Sequence, residues 1–162
     1  MNLNLKIIMN AMKKVCTVMM SLLAMMMVTF SAAAADKYSI NRNDLPQAAQ
    51  EFLTKYFPKA RVSMVKTDTH LLRPTDYDVK LVNGTKIEFN KKGQWTSVDC
   101  KTKEVPEGII LKPIRTYVKK NFPETFIVSI EKKTTYFEVE LNDGVELKFD
   151  RLGGFKSMKM DD

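Results

Sequence analysis

The sequence has few residues of the kinds that hold a small domain together by covalent bonds or by metals. Its 162 residues include two cysteines and one histidine. Cys16 lies in an apolar leader, so the chain beyond that leader has a single thiol, Cys100, which cannot form an internal disulfide. His70 has only Asp68 and Asp76 near it in sequence, without a recognisable metal-ligand spacing. We therefore expect a hydrophobic core to hold the domain together.

Motifs that would indicate catalysis are also scarce. The six glycines form no phosphate-binding loop, because Gly153-Gly154 ends a hairpin pattern and does not open a helix. A nucleophilic pair would need Cys100 and His70 within hydrogen-bond distance, and nothing in their spacing favours that. We predict no catalytic residues, no cofactor and no metal, and hence that the protein is not an enzyme.

Composition and charge exclude several other classes. Hydrophobic residues make up 44% of the chain and charged residues 28%, which is typical of one compact domain and excludes collagen, a disordered tail and a multi-spanning membrane protein. The net charge of +7 falls to +4 without the three lysines of the leader, since 23 basic and 19 acidic residues remain. This excess is too small to indicate nucleic-acid binding.

Residues 1–35 are predicted to be a signal peptide. Two lysines precede an uncharged apolar run at residues 15–30, and residues 31–35 supply the small side chains of a cleavage site. The run has sixteen residues, fewer than the ~20 that cross a bilayer, so we expect cleavage and no permanent membrane anchor. Met1 and Met12 are both candidate start codons. The protein should be exported to the periplasm or the cell surface.

The rest of the chain repeats itself. Four motifs recur in the same order: Leu45-Pro46 and Val105-Pro106, Tyr56-Phe57-Pro58 and Asn121-Phe122-Pro123, segments 77–84 and 137–144, and segments 89–95 and 149–155. We interpret this as the tandem duplication of a unit of about 57 residues. The predicted organisation is an N-terminal segment at 36–43, a first repeat at 44–100 and a second repeat at 101–162.

Each repeat is predicted to form one helix followed by four strands. Apolar side chains recur at helical spacing in both repeats: Ala49, Phe52, Leu53 and Tyr56, then Ile114, Tyr117 and Val118. The second helix should begin near Lys112, with Pro113 in its first turn. The predicted strands are residues 61–67, 76–82, 85–90 and 94–100, then 126–131, 135–141, 145–150 and 155–160. Asn83-Gly84 and Asp143-Gly144 indicate two-residue hairpins.

Strict alternation in the middle strands predicts that only one face of the sheet is covered. The opposite face would carry charged residues: Asp78, Lys80, Lys86, Glu88, Glu138, Glu140, Glu146 and Lys148. A sheet covered on both faces would be apolar on both, so both helices should pack on one side. The predicted fold is α+β, an antiparallel sheet of about eight strands with two helices on one face. The open face would measure roughly 600–700 Å², close to the ~800 Å² that one partner contributes to a standard interface.

Two aromatic residues could lie on either face. If the loop after Asn90 has three residues and ends in a left-handed Gly93, Phe89 faces Trp95 and the tryptophan belongs to the core. If the loop has two residues, the parity changes and Trp95 projects from the open face as a binding anchor. Phe155 occupies the same position in the second repeat and has the same two alternatives. The position of the glycine favours the core.

The sequence resembles the PepSY-like family of exported bacterial proteins, which is related in fold to beta-lactamase inhibitor protein. The resemblance covers the chain beyond the leader and depends on the repeated helix and four strands, the Phe-Pro after each helix, and two similar hairpins. The hairpin residues are Phe89, Gly93 and Trp95, then Phe149, Gly153 and Phe155. The resemblance implies a protein without catalysis whose relatives bind or inhibit other proteins, including peptidases and beta-lactamases. It supplies no catalytic residues.

Pattern and resemblance together predict a noncatalytic exported binding protein. Its open sheet face, carrying the eight charged residues above, would engage a protein or peptide, with inhibition of a peptidase or another envelope enzyme as one form of that binding. The alternative is a small-ligand or glycan-binding module of the bacterial envelope, because nothing in the sequence identifies the partner.

Overall fold

The computed structural model describes residues 36–68 and 76–160, together with Met9 and residues 12–14 of the leader. The signal-peptide prediction therefore lies almost wholly outside the described residues, as does His70. In the described part of the chain, no helix has the length and apolar character needed to cross a membrane.

Residues 36–68 and 76–160 contain two α-helices and nine β-strands. The helices are α1 (Gln47–Tyr56) and α2 (Lys112–Asn121), and the strands are β1 (Lys37–Ser39), β2 (Val62–Asp68), β3 (Asp76–Leu81), β4 (Lys86–Phe89), β5 (Trp95–Asp99), β6 (Ile127–Lys132), β7 (Tyr136–Leu141), β8 (Val145–Asp150) and β9 (Phe155–Met160). Short 3₁₀ turns at Arg42–Asp44 and Glu107–Ile109 precede the helices. The predicted elements after residue 44 are present, with bounds that differ by at most one residue.

The strands form one antiparallel sheet in which their order in space is their order in sequence. The expected number of about eight strands is one too low, because the segment before the first repeat adds β1. Ser39 of β1 lies opposite Val65 of β2. A strand of three residues is too short to show alternation, so no pattern in the sequence predicts it. The fold is thus α+β with an open sheet, as expected.

Proline and the Phe-Pro motif bound the helices. Pro113 lies in the first turn of α2, where its missing N–H group is not needed. Each helix ends in the same way: the Phe57 N–H donates to the Leu53 carbonyl, and the Phe122 N–H donates to the Val118 carbonyl. The following proline prevents the helix from continuing.

Two glycines fix how the hairpin loops pack against the helices. Gly93 and Gly153 have φ of 74° and 87°, a region that other residues rarely adopt. A Cβ atom on Gly93 would lie 2.8 Å from the Ala49 backbone nitrogen, and one on Gly153 would lie 2.9 Å from Pro113 Cβ. The β4–β5 loop therefore packs on the start of α1, and the β8–β9 loop packs on the start of α2.

Both helices cover the same face of the sheet and share one hydrophobic core with it. A row of apolar residues crosses this face, each directly opposite the next on the neighbouring strand: Val65, Val79, Ile87, Val98, Ile130, Val139, Leu147 and Met158. We call it the core row. Its first seven members are at most 2% exposed, whereas Met158 on β9 is 45% exposed.

Candidate functional site: the open face of the sheet

The face of the sheet away from the helices carries two rows of polar side chains. The first row runs from β2 to β9: Lys66, Asp78, Glu88, Ser97, Glu131, Glu138, Lys148 and Ser157. The second row runs from β3 to β9: Lys80, Lys86, Asp99, Ser129, Glu140, Glu146 and Lys159. All eight charged residues predicted for the open face lie in these rows. In the described part of the chain, no helix or strand packs over them.

The charges in the rows are sorted by position. Carboxylates occupy the middle strands, and we call this set the acidic centre: Asp78, Glu88, Asp99, Glu131, Glu138, Glu140 and Glu146. Lysines flank it on β2 to β4 and on β8 to β9: Lys66, Lys80, Lys86, Lys148 and Lys159. In the first row, four carboxylates span five strands, or ~19 Å. The rows are therefore negative in the middle and positive toward their two sides, and two lysines outside the rows, Lys101 and Lys133, pair with Asp99 and Glu131.

The pKa values of two carboxyls reflect this arrangement. Burial raises the pKa of Asp78 above its usual range, and the neighbouring carboxylates of Asp68 and Asp76 add to this, although Lys66 opposes it. Burial also raises the pKa of Glu88, reinforced by Asp78 and Glu131 and opposed by Lys133. Like charges that raise each other's pKa create a negative potential, which favours a positively charged partner.

Ion pairs within the face leave its charges accessible. Lys148 Nζ lies 3.3 Å from Glu138 Oε1, and Lys159 Nζ lies 4.0 Å from Glu146 Oε2. These side chains remain between a quarter and two-thirds exposed. Exposed pairs of this kind contribute ~0–1 kcal/mol, so a partner can rearrange them at little cost.

Trp95 does not belong to the open face. The Gly93 N–H donates to the Asn90 carbonyl over 2.8 Å, which closes the three-residue loop and sets Trp95 opposite Phe89. The indole ring lies 6.3 Å from the Phe52 ring on the helix side. The core alternative is thus confirmed, and the alternative of an open-face anchor is wrong, because the loop retains the parity that a left-handed glycine imposes.

Phe155 likewise lies on the helix side, opposite Phe149. Its ring stacks on Tyr117 with the centroids 4.6 Å apart and the planes 10° from parallel. The open-face alternative is wrong for this residue too. Unlike Trp95, Phe155 is at the edge of the sheet and remains 42% exposed.

The chemistry of the remaining candidates does not suggest catalysis. Cys100 is buried beneath the sheet, and burial raises the pKa of its thiol, which disfavours the nucleophilic thiolate. In the described ranges, no three metal-ligating side chains form a cluster. His70 lies outside those ranges, so its pairing with Cys100 is not tested.

Sequence reasoning missed part of the open face. Four charged residues belong to the rows but were not among the predicted site residues: Lys66, Asp99, Glu131 and Lys159. Each of their strands contains a register shift that weakens the alternation, near residues 62–64 in β2, 95–97 in β5, 127–129 in β6 and 155–157 in β9. A bulge places two residues against one and hides the period of two on which the prediction depends. The signal was present only in the parts of these four strands beyond the bulges.

Comparison with known proteins identifies the family. A family model described as "Putative beta-lactamase-inhibitor-like, PepSY-like" matches residues 75–157, just over half of the 162 residues. The chain belongs to the PepSY-like family. Among curated proteins, no match was found.

Solved structures of similar proteins have the same fold. A "putative periplasmic protein of unknown function" from Bacteroides vulgatus is 38% identical, with a TM-score of 0.74, over 77% of this chain and 99% of its own. A second protein from that organism, assigned to the DUF2874 family, is 39% identical, with a TM-score of 0.73, over 79% and 99%. A "putative calcium-regulated periplasmic protein" from Bacteroides thetaiotaomicron is 37% identical, with a TM-score of 0.73, over 79% and 99%.

Proposed function

We propose that this PepSY-like protein is a noncatalytic exported binding protein that engages a protein or peptide through its open sheet face. The observation that carries the proposal is the acidic centre, a set of ordered carboxylates across a face that no helix or strand of the described chain covers. Inhibition of a peptidase or of another envelope enzyme is one form that such binding would take, as the inhibitor-like description of the family suggests.

The size of the face supports a macromolecular partner. Nine strands at ~4.8 Å spacing give a sheet ~38 Å wide, and strands of about six residues are ~20 Å long. The resulting ~760 Å² approaches the ~800 Å² that each partner contributes to a standard interface. A small molecule would instead prefer a concave, mostly apolar pocket.

The charge distribution defines the partner's chemistry. A partner that places basic groups over the acidic centre and acidic groups over the flanking lysines would gain electrostatic complementarity along both rows. Such complementarity raises association rates and selects against partners of the opposite pattern. We therefore infer a partner surface with a basic middle.

Two further features of the proposal concern origin and location. We propose that residues 44–100 and 101–162 arose by tandem duplication, which the matching helix ends and glycine loops of the two segments support. We also propose export to the periplasm or the cell surface after removal of residues 1–35. The description of the three relatives as periplasmic supports this location.

A small-ligand module is the second candidate, and one observation favours it. A cleft of about 470 Å³ lies between α2, the segment before it and the start of β6, with Glu104, Arg115 and Lys119 in its lining. This volume is within the range of small-molecule sites. A ligand bound there would raise the thermal midpoint in proportion to the logarithm of its concentration.

The experiment that separates the two candidates uses charge reversal on the open face. The triple variant Glu88→Lys, Glu138→Lys and Lys80→Glu should lose partners that the unmodified chain captures from envelope extract, and a purified partner should bind at least tenfold more weakly. A matched control makes the same charge changes on α1 and in the turn after α2: Glu51→Lys, Lys55→Glu and Glu124→Lys. Equal capture by both variants would contradict the proposal.

A further inference from the structure

Strand β9 ends the sheet with an exposed apolar surface. Three of its residues face the helix side, namely Phe155, Met158 and Met160, and they are 42%, 45% and 62% exposed. They lie opposite Phe149, Leu147 and Val145. They therefore extend the apolar surface of the core to the edge of the sheet, where it stays partly exposed. An exposed edge strand of six residues also presents unpaired backbone groups to other chains.

In the first half of the molecule, the strand equivalent to β9 has another strand paired beside it. Strand β5 corresponds to β9, and Val98 corresponds to Met158. Val98 is fully buried because it lies between Ile87 of β4 and Ile130 of β6. The Cys100 N–H donates to the Val128 carbonyl over 2.9 Å, which continues the pairing of these two segments. In the described residues, β9 has no counterpart of β6.

A groove beside β9 is uncovered for the same reason. It has a volume of about 620 Å³, lies between α2 and the β8–β9 loop, and is lined mainly by Pro113, Tyr117 and Phe155. In the first half, the chain after β5 reaches the corresponding helix. The Tyr56 hydroxyl donates to the Gly108 carbonyl over 3.1 Å. The position is thus filled in the first half by a strand at the edge and a short segment on the helix.

The positive charges around β9 favour an acidic partner. Lys156 and Lys159 lie on the strand, and Lys112 and Lys120 line the groove. Pairing of two copies through β9 would bring the strand lysines of both together, a known protection against self-association. An acidic strand would be attracted instead. The opposite edge, β1, has only three residues and offers a much shorter template.

We propose that β9 and its groove bind an extended acidic segment of another protein, which adds to the sheet as a tenth strand. Its apolar side chains cover Met158 and Phe155, and its carboxylates lie near Lys156 on the strand and Lys120 in the groove. Backbone hydrogen bonds supply affinity, and alternate side chains supply specificity. This goes beyond the proposed function, because it uses the edge of the sheet and not its open face.

The test is a titration of the chain beginning at residue 36 with synthetic nine-residue peptides, followed by amide NMR shifts. A peptide of alternating Val and Glu should shift the amides of residues 153–160. A peptide of alternating Val and Lys should bind at least tenfold more weakly. The Val–Glu peptide with methylated central backbone nitrogens should also lose at least tenfold, because it cannot pair with an edge strand.

A charge-swap variant distinguishes a specific effect on binding from misfolding, because it should gain affinity for one of the peptides. Lys120→Glu with Lys156→Glu should reverse the preference, so that the Val–Lys peptide binds more tightly than the Val–Glu peptide. The control, Lys55→Glu with Lys59→Glu, should keep the original preference, as should the open-face variant Glu88→Lys with Glu138→Lys. Absence of binding, equal binding of the methylated peptide, shifts confined to the open face, or a dimer of the free chain that forms through β9 would overturn the proposal.

Discussion

The two halves of the sheet have the same local structure but different neighbours. In each half, a glycine loop packs on a helix and an aromatic ring of the helix meets a buried phenylalanine edge-on. Phe52 and Phe89 have ring centroids 5.5 Å apart, and Tyr117 and Phe149 have centroids 5.4 Å apart. The last strands differ, because β5 is enclosed by β6 and β9 is not. Burial of equivalent residues thus depends on whether a later strand of the chain pairs beside them.

The difference between the halves separates two contributions to the sheet. Turn chemistry and helix bounds are local and recur in both halves. Coverage of a strand depends on its position in the sheet, and only an interior strand buries its apolar residues fully. The same difference explains why β5 offers no apolar edge to a partner, whereas β9 does.

The largest effect should come from the residues in which the halves agree. Phe89→Ala and Phe149→Ala should each lower the free energy of unfolding by ~3–5 kcal/mol, because both rings are fully buried against an aromatic residue of a helix. Urea unfolding of the two variants would measure this. Losses that differ by more than about 2 kcal/mol would show that the two cores are not equivalent.

A smaller effect should distinguish the two kinds of glycine turn. Gly93→Ala should cost ~2 kcal/mol or more, because a left-handed alanine is strained and its Cβ would meet the backbone of α1. Gly84→Ala is the matched control: its φ is 90°, but nothing lies within 4 Å of the added Cβ, so only the strain of ~1–2 kcal/mol applies.

Gly153→Ala should resemble Gly93→Ala, and Gly144→Ala should resemble Gly84→Ala, since their surroundings match in the same way. Thermal unfolding of the four variants measures the comparison. Equal losses at all four positions would contradict the conclusion that two of the loops pack against helices.

The sharpest contrast between the halves should appear at the core row. Val98→Ala should cost roughly 2 kcal/mol, since the side chain is fully buried. Met158→Ala removes a larger side chain but should cost less than about 1 kcal/mol, because that residue is 45% exposed. Chemical denaturation would measure both. A larger loss at Met158 would mean that β9 is covered in solution.

Prediction from the sequence succeeded for local features and failed for features that depend on neighbouring strands. Loop and helix positions were predictable because Asn83-Gly84, Gly93 and Pro113 favour particular backbone conformations whatever packs beside them. Alternation identified the open face on the middle strands. Strand β1 and the charges of β2, β5, β6 and β9 were missed, since pairing partners and bulges decide them. The residues next to Trp95 and Phe155 in the sequence do not reveal that only Phe155 lies at an edge of the sheet.

The smallest effect should come from the side chain whose oxygen accepts the N–H groups of each glycine loop. Asn90 Oδ1 accepts hydrogen bonds from the Lys92 and Gln94 N–H groups, at 2.9 and 3.1 Å. Asp150 Oδ1 accepts from Leu152 and Gly154 at 2.8 and 2.9 Å, and these N–H groups lower the pKa of the Asp150 carboxyl. The second loop therefore depends on pH, and the first does not.

The direction of the pH effect is set by linkage. Because the pKa of Asp150 is lower in the folded state, its contribution to stability is present above the ordinary pKa of 3.8 and disappears as the pH falls through the lower folded value. Asp150→Asn should therefore remove part of the acid sensitivity of the thermal midpoint, with only a small change at neutral pH. Asn90→Asp should add acid sensitivity of the same sign. Identical pH profiles for the two variants would show that the loops are not equivalent caps.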